Sequence, residues 1–197
     1  ALPGVLEYTI TERLEMDPTK IKNLKLTGSI NRDDYTFMRD KMTSLQRLNL
    51  KEVESHSIPY DAFNEKTTLS KCFLPEKLER IEIYAFWNTA LTGSLILPEG
   101  LKYVSGFHGT KITNVHFPST LEEIGASAFS SCTSLMTELS LPQSLKVIGE
   151  QAFDGAGISG NLILPDELES IGLGAFSCCS SLTGSLTIPN RVMVISA

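Results

Sequence analysis

Apolar and polar residues alternate over short stretches of this chain, and proline closes each stretch. In Asn161-Leu162-Ile163-Leu164-Pro165, Leu162 and Leu164 fall on one face of an extended segment, Asn161 and Ile163 on the other. The same ending, Leu, Phe or Ile before proline, recurs at Pro75, Pro98, Pro118, Pro142, Pro165 and Pro189, at spacings of 23, 20, 24, 23 and 24 residues. Aligned on these prolines, the chain reads LPEKLERIEIYAF from Leu74, LPEGLKYVSGFHG from Leu97, FPSTLEEIGASAF from Phe117, LPQSLKVIGEQAF from Leu141 and LPDELESIGLGAF from Leu164. The shared unit is L-P-x-x-L-x-x-I-G-x-x-A-F. A last copy, IPNRVMVIS, starts at Ile188, and an Ala62-Phe63 pair lies 23 residues before Phe86, so the repeat starts upstream of Pro75.

A repeat of this length predicts a solenoid, in which each coil stacks on the next and every apolar position becomes a continuous buried ladder. The expected fold is a β-rich solenoid with one parallel strand per ~23-residue repeat, and the alternating segment before each proline is its strand. Proline has no N–H for a ladder and ends the strand at the same place in each coil. Gly125, Gly149 and Gly172, after the isoleucine, suit a tight corner with positive φ. Glu82 and Ser105 stand at that position in two coils, where a differently shaped corner is expected. The second coil departs most: it has 20 residues, with Phe107-His108 in place of Ala-Phe. A shortened coil would change the curvature locally, as drift or as a specialised spot.

Open solenoids need capping. Leu6, Ile10 and Leu14, four residues apart, predict a helical stripe over the first coil, and a second helix is expected over about Arg32 to Met42, with Asn31 as its cap and Asp33 and Asp34 in its first turn. The division is residues 1–50 as helical N-terminal cap and irregular leucine-rich segments, and 51–197 as repeats, the last incomplete. The sequence halts inside a coil at Ile195-Ser196-Ala197. Either the natural chain continues, or this edge pairs with another copy, or the tail blunts it; a truncated or self-pairing end is the expectation.

These units resemble the BspA-like class of leucine-rich repeats over about residues 58 to 195. Cys132 and Cys179 fall three residues after the phenylalanine, at that family's cysteine position, where Thr89 and Ala156 stand in other coils. KIKNLKLTGSI (20–30) and MTSLQRLNL (42–50) resemble ordinary leucine-rich segments. The resemblance implies a right-handed solenoid, an extracellular or cell-surface bacterial setting, and a binding or adhesion role.

Composition narrows the chemistry. At 42% hydrophobic and 20% charged, the 197 residues can bury a real core. No apolar run approaches the ~18 residues of a membrane helix, and a net charge of −6 gives no support for nucleic-acid binding. GAGISG, Gly155 to Gly160, spells G-x-G-x-x-G, but the register puts it in the loop before a strand and not between a strand and a helix, so no nucleotide site is expected. Cys72, Cys132, Cys178 and Cys179 form no C-x-x-C pair and no histidine stands at zinc-ligand spacing, so no metal or other cofactor is expected. Cys132 and Cys179 should lie about 10 Å apart, two rungs, beyond the ~7 Å reach of a disulfide. Cys72 reads as a small buried apolar residue, and His56, His108 and His116 as scattered and exposed. Glu122-Glu123 reads as solvated surface. No catalytic residue is assigned.

What remains is a surface. Two positions before each proline stand Phe73, Ile96, His116, Ser140, Ile163 and Thr187; four positions before stand Lys71, Ser94, Asn114, Glu138, Asn161 and Ser185. Outward Phe73, Ile96 and Ile163 have no obvious core duty, and apolar groups rimmed by polar ones often mark contact sites. The alternative is that strands simply favour such residues. The reading is a non-enzymatic module presenting this face to a protein or glycan, or a structural spacer assembling through its C-terminal edge; a hidden enzyme is the third possibility.

Overall fold

A parallel sheet of seven two-residue strands runs through the repeats: Ser57–Ile58, Arg80–Ile81, Tyr103–Val104, Glu123–Ile124, Val147–Ile148, Ser170–Ile171 and Val194–Ile195. The computed structural model that contains it describes residues 3–195; Ser196-Ala197, part of the expected break in the last coil, lies outside. Each strand pairs with the next in unbroken register, isoleucine or valine on isoleucine. Ile58, Ile81, Val104, Ile124 and Ile148 are fully buried, as are Leu78, Leu101, Leu121, Leu145 and Leu168, one rung each of the neighbouring ladder. The chain is thus the stacked-coil β-solenoid that its periodicity predicts.

Alternation predicts the strand before the proline; the continuous sheet lies after it. Proline and this isoleucine or valine are six residues apart in every coil, including the short one, so neighbouring coils always meet in register there. Upstream, the stretch from the ladder phenylalanine to the next proline is 12, 12, 11, 13, 12 and 13 residues long, counted from Phe63. Pairing before the proline is patchy: Arg47–Val53 lies between Asn23–Gly28 and Lys71–Phe73, Thr92–Ile96 pairs with Lys111–His116, and Gly160–Asn161 with Leu182–Thr183. Inward and outward positions still alternate as expected. Leu162 and Leu164 are buried while Asn161 and Ile163 are exposed.

The Ala-Phe turn forms a third ladder. Phe63, Phe86, Phe107, Phe129, Phe153 and Phe176 stack with ring centroids 5.1 to 5.6 Å apart. Around them backbone bonds tie coil to coil: Ser127, Phe129 and Ser131 N–H donate to the carbonyls of Glu150, Ala152 and Asp154 at 2.7 to 2.8 Å. Two residues per coil hold positive φ here, Ser127 and Ser131 in one coil, Gln151 and Gly155 in the next.

Gly125, Gly149 and Gly172 are not among the positive-φ residues, contrary to the expectation. They answer to crowding. A Cβ on Gly149 would lie 2.6 Å from Ala126 N and 2.7 Å from the Gly125 carbonyl carbon, so the coils approach more closely than a side chain permits. The positive φ falls two residues later, on Ser127, Gln151 and Gly174. Glu82 does not alter the corner as expected, since Tyr84 holds the same conformation at φ 60°. Ser105 does: Val104-Ser105-Gly106-Phe107 omits two residues, and Gly106 turns at φ 87° where a Cβ would meet Glu82 O at 2.5 Å. The fully buried Ser105 hydroxyl donates to Ala126 O (2.9 Å), in place of a backbone bond that the deletion removes.

At the amino end, Leu6–Tyr8 begins a helix that continues as a π-helical segment, Thr9–Arg13. Leu6 and Ile10 are buried as predicted, but Leu14 is 56% exposed. The wider π turn, closed by Leu14 N–H on Thr9 O, swings it off the stripe. The second helix, Arg32–Asp40, starts at the Asn31 cap, which accepts from Asp33 and Asp34 N–H. Buried Asp34 binds both segments together by accepting from Gly4, Leu6 and Asn31 N–H at 2.7, 3.0 and 2.9 Å. Lys66 closes the other end of that helix, donating to Arg39 O and Met42 O.

Candidate contact face

The pre-proline segments place their outward residues side by side. Ile96 pairs in register with His116, and Ser94 with Asn114. Ile96 is 71% and Ile163 65% exposed; His116, Ser140 and Thr187 are exposed too. Phe73 is half-buried, with the Lys71 ammonium 5.0 Å from its ring centre. In the outer row Lys71, Ser94, Glu138, Asn161 and Ser185 are exposed and Asn114 is half-buried, its Nδ2 3.2 Å from His116 Nε2. The structure extends the face upstream, with Arg47 beside Lys71 and Asn49 beside Phe73. Neither residue precedes a repeat proline, so alignment on the prolines misses them.

A cavity of about 440 Å³ opens in this face, between Lys71–Phe73 and Thr92–Ile96. An interruption in the ribbon cannot be read from a repeat pattern that treats all coils alike. A second unforeseen feature lies elsewhere: Tyr60 and Tyr84 meet edge to face, Tyr84 stacks on Trp87 at 4.4 Å, and Trp87 meets His108 at 5.2 Å. His108 is therefore half-buried, not exposed as expected. Burial lowers its pKa below the ordinary imidazole value, with the Asp154 charge opposing. His56 and His116 are exposed, and His56 Nδ1 lies 3.1 Å from Glu79.

The thiols are all free. Cys132 Sγ donates to Phe107 O and Cys179 Sγ to Phe153 O, so each family-position cysteine ties its coil to a neighbouring carbonyl. Burial pushes both up to about 11 and Cys72 up to about 12, which keeps them as thiols and poor nucleophiles. Cys72 is partly covered, packing against the core at the cavity wall. Gly155 to Gly160 lies outside any helix, between the turn at Phe153 and the strand at Gly160, as its register predicts. Glu122 is paired with Lys146 at 2.9 Å near the surface. Among the described residues, no group of three or more His, Cys, Asp or Glu is arranged to hold a metal ion, and no helix is long and apolar enough to cross a membrane.

Compared with known proteins, the chain matches the family model described as the BspA type leucine rich repeat region (6 copies), over residues 16–106 and 103–197. No protein of curated function matches it. It is similar to a leucine-rich repeat protein from Bacteroides ovatus ATCC 8483, with TM-score 0.56 and 19% identity, covering 79% of this chain and 46% of that one. At that identity the likeness shows the fold, and the chain spans about half that protein's length. A leucine rich repeat protein of T. pallidum aligns at 26% identity and TM-score 0.49 (87% of this chain, 65% of that one), and a leucine rich cell surface protein from Faecalibacterium prausnitzii A2-165 at 16% and 0.35 (82% and 76%). These two overlay too loosely to carry an argument.

Proposed function

Because the chain belongs to the BspA-type leucine-rich repeat family, repeat proteins that generally serve in protein binding or surface adhesion, we propose that it is a non-enzymatic binding module of a secreted or cell-surface bacterial protein. It presents the pre-proline face to a protein or glycan. One observation carries this: Ile96 and Ile163 stand 71% and 65% exposed in a row whose inward neighbours Leu95 and Leu162 are buried, among polar residues that differ from coil to coil. A fixed core with a variable outward row is how a solenoid offers a long, adaptable surface. The buried, protonated thiols give no support to nucleophilic catalysis, and leucine-rich solenoids of this kind are generally non-catalytic.

The test is capture of extracellular proteins and glycans by the purified chain and by a variant carrying Phe73→Ser, Ile96→Ser and Ile163→Ser. The proposal expects saturable binding that the triple variant loses by tenfold or more; binding that the variant retains in full removes this face from the account.

A further inference from the structure

The first five strands of the ribbon, Asn23–Gly28, Arg47–Val53, Lys71–Phe73, Thr92–Ile96 and Lys111–His116, carry Lys25, Arg47, Lys51, Lys71 and Lys111 against a single acid, Glu52. All five bases are exposed, on a chain of net charge −6. Lys25 holds Glu52 at 2.6 Å, and the other four bases make no ion pair among the described residues. Strand pairing lines three of them up. Arg47 stands in register beside Lys71, Thr92 N–H donates to Ser70 O on the other side, and Thr92 pairs with Lys111. At ~4.8 Å per rung, Arg47, Lys71 and Lys111 fall on one line within about 15 Å.

The sheet after the proline is arranged in the opposite way. There His56, Glu79, Lys102, Glu122, Lys146 and Glu169 occupy one position on successive coils, each N–H donating to the carbonyl of the one before. Bases and acids alternate, and Lys146 reaches Glu122 at 2.9 Å and His56 reaches Glu79 at 3.1 Å. Charge is thus balanced where side chains serve the stack. Like charges side by side in a sheet are destabilising, so the row of Arg47, Lys71 and Lys111 costs stability, and no ion pair among the described residues offsets it. A local rule broken without compensation inside the fold marks a functional position.

We propose that this row binds an anionic glycan, a polysaccharide bearing sulfate or carboxylate groups, laid across the strands. The three bases take the anionic groups, Arg47 through its paired N–H donors, and exposed Asn23, Thr92 and Thr113 offer amide and hydroxyl partners to the sugar hydroxyls. An acidic peptide fits less well, because an extended chain presents same-side carboxylates roughly 6.8 Å apart, out of step with the rungs. A single-stranded nucleic acid needs open aromatic faces for its bases, and Phe73, the ring beside the row, has the Lys71 ammonium over it at 5.0 Å. The proposal deepens the contact-face reading and rests on it for its location, but it uses the bases and not Phe73, Ile96 and Ile163, so each can fail alone.

Calorimetric titration of the full chain with heparin and oligogalacturonate fragments, which separate sulfate from carboxylate, tests it. Neutral dextran, poly-glutamate and a single-stranded oligonucleotide of matched charge are the comparisons. At least one of the two anionic glycans should bind, more tightly than poly-glutamate or the oligonucleotide, and dextran should not. Affinity should fall roughly tenfold or more between about 0.05 and 0.2 M salt. Arg47→Gln/Lys71→Gln/Lys111→Gln should weaken binding by about tenfold or more. Lys77→Gln/Lys102→Gln/Lys146→Gln, at exposed positions after the proline, makes the same change in net charge and should leave binding within about twofold. The first variant should also melt no lower than the native chain, since it relieves like-charge repulsion. No binding of either anionic glycan, equal weakening by both variants, tighter binding of poly-glutamate or the oligonucleotide, or a lower melting point in the first variant would overturn the proposal; the contact face would still stand on its own capture test.

Discussion

Gly149 and Gly155 belong to one coil and are glycines for different reasons. Gly149 has no room for a Cβ, being pressed against the backbone of Gly125 and Ala126. Gly155 has room, with nothing within 4 Å, but holds φ 64°. Gly149→Ala should therefore cost about 1 to 3 kcal/mol by forcing two coils apart, whereas Gly155→Asn, a residue that tolerates this conformation, should change stability by about 0.5 kcal/mol or less. Urea denaturation of the two variants measures both. The repeat pattern marks the first position as glycine-requiring but assigns it the wrong cause, because close approach between coils involves residues 24 apart and only the fold brings them together. His108 adds a pH term at the same scale. Its folded pKa is lowered by burial, so as pH falls through the ordinary value of 6.5 the unfolded chain takes up the proton first and stability drops; above that value the contribution is fully present. Urea midpoints at pH 7.5 and 5.5 should fall further apart in the native chain than in His108→Gln, and an equal spread would contradict the buried setting.

Among the elements, the phenylalanine turn is the most regular and the best anticipated. Ala-Phe recurs at fixed distance from the proline in four coils, and the rings do stack into one column. Phe153 lies between Phe129 and Phe176, so Phe153→Ala opens a cavity in the middle of the column and should cost about 3 to 5 kcal/mol. Glu150→Ala, at an exposed position of the same coil, should be nearly neutral. Equal losses in thermal or urea melts would refute the register itself. The strands were harder to read. Alternation before the proline gave the right inward and outward residues, yet which segment pairs continuously depends on a constant spacing from proline to isoleucine, and side-chain alternation carries no information about that. At the amino terminus an α-helical period predicts Leu14 beside Leu6 and Ile10, and a π-helical turn displaces it.

For the whole molecule, the repeat determines nearly everything except function. Stacked coils, buried ladders and the surface position of the outward row follow from periodicity; the interruption beside Cys72, the aromatic group around Trp87 and the upstream extension through Arg47 and Asn49 do not, since each arises where one coil differs from its neighbours. Those departures are where a repeat protein acquires individual chemistry, and the first two lie around the 20-residue coil and the one before it. The central claim is that the pre-proline face makes contact with a partner. Amide hydrogen exchange, with and without a saturating partner from the capture experiment, tests it most directly. The account predicts added protection in residues 71–74, 92–97, 111–117 and 160–164; protection confined to the phenylalanine turns at 84–88, 127–131 and 151–155 would contradict it.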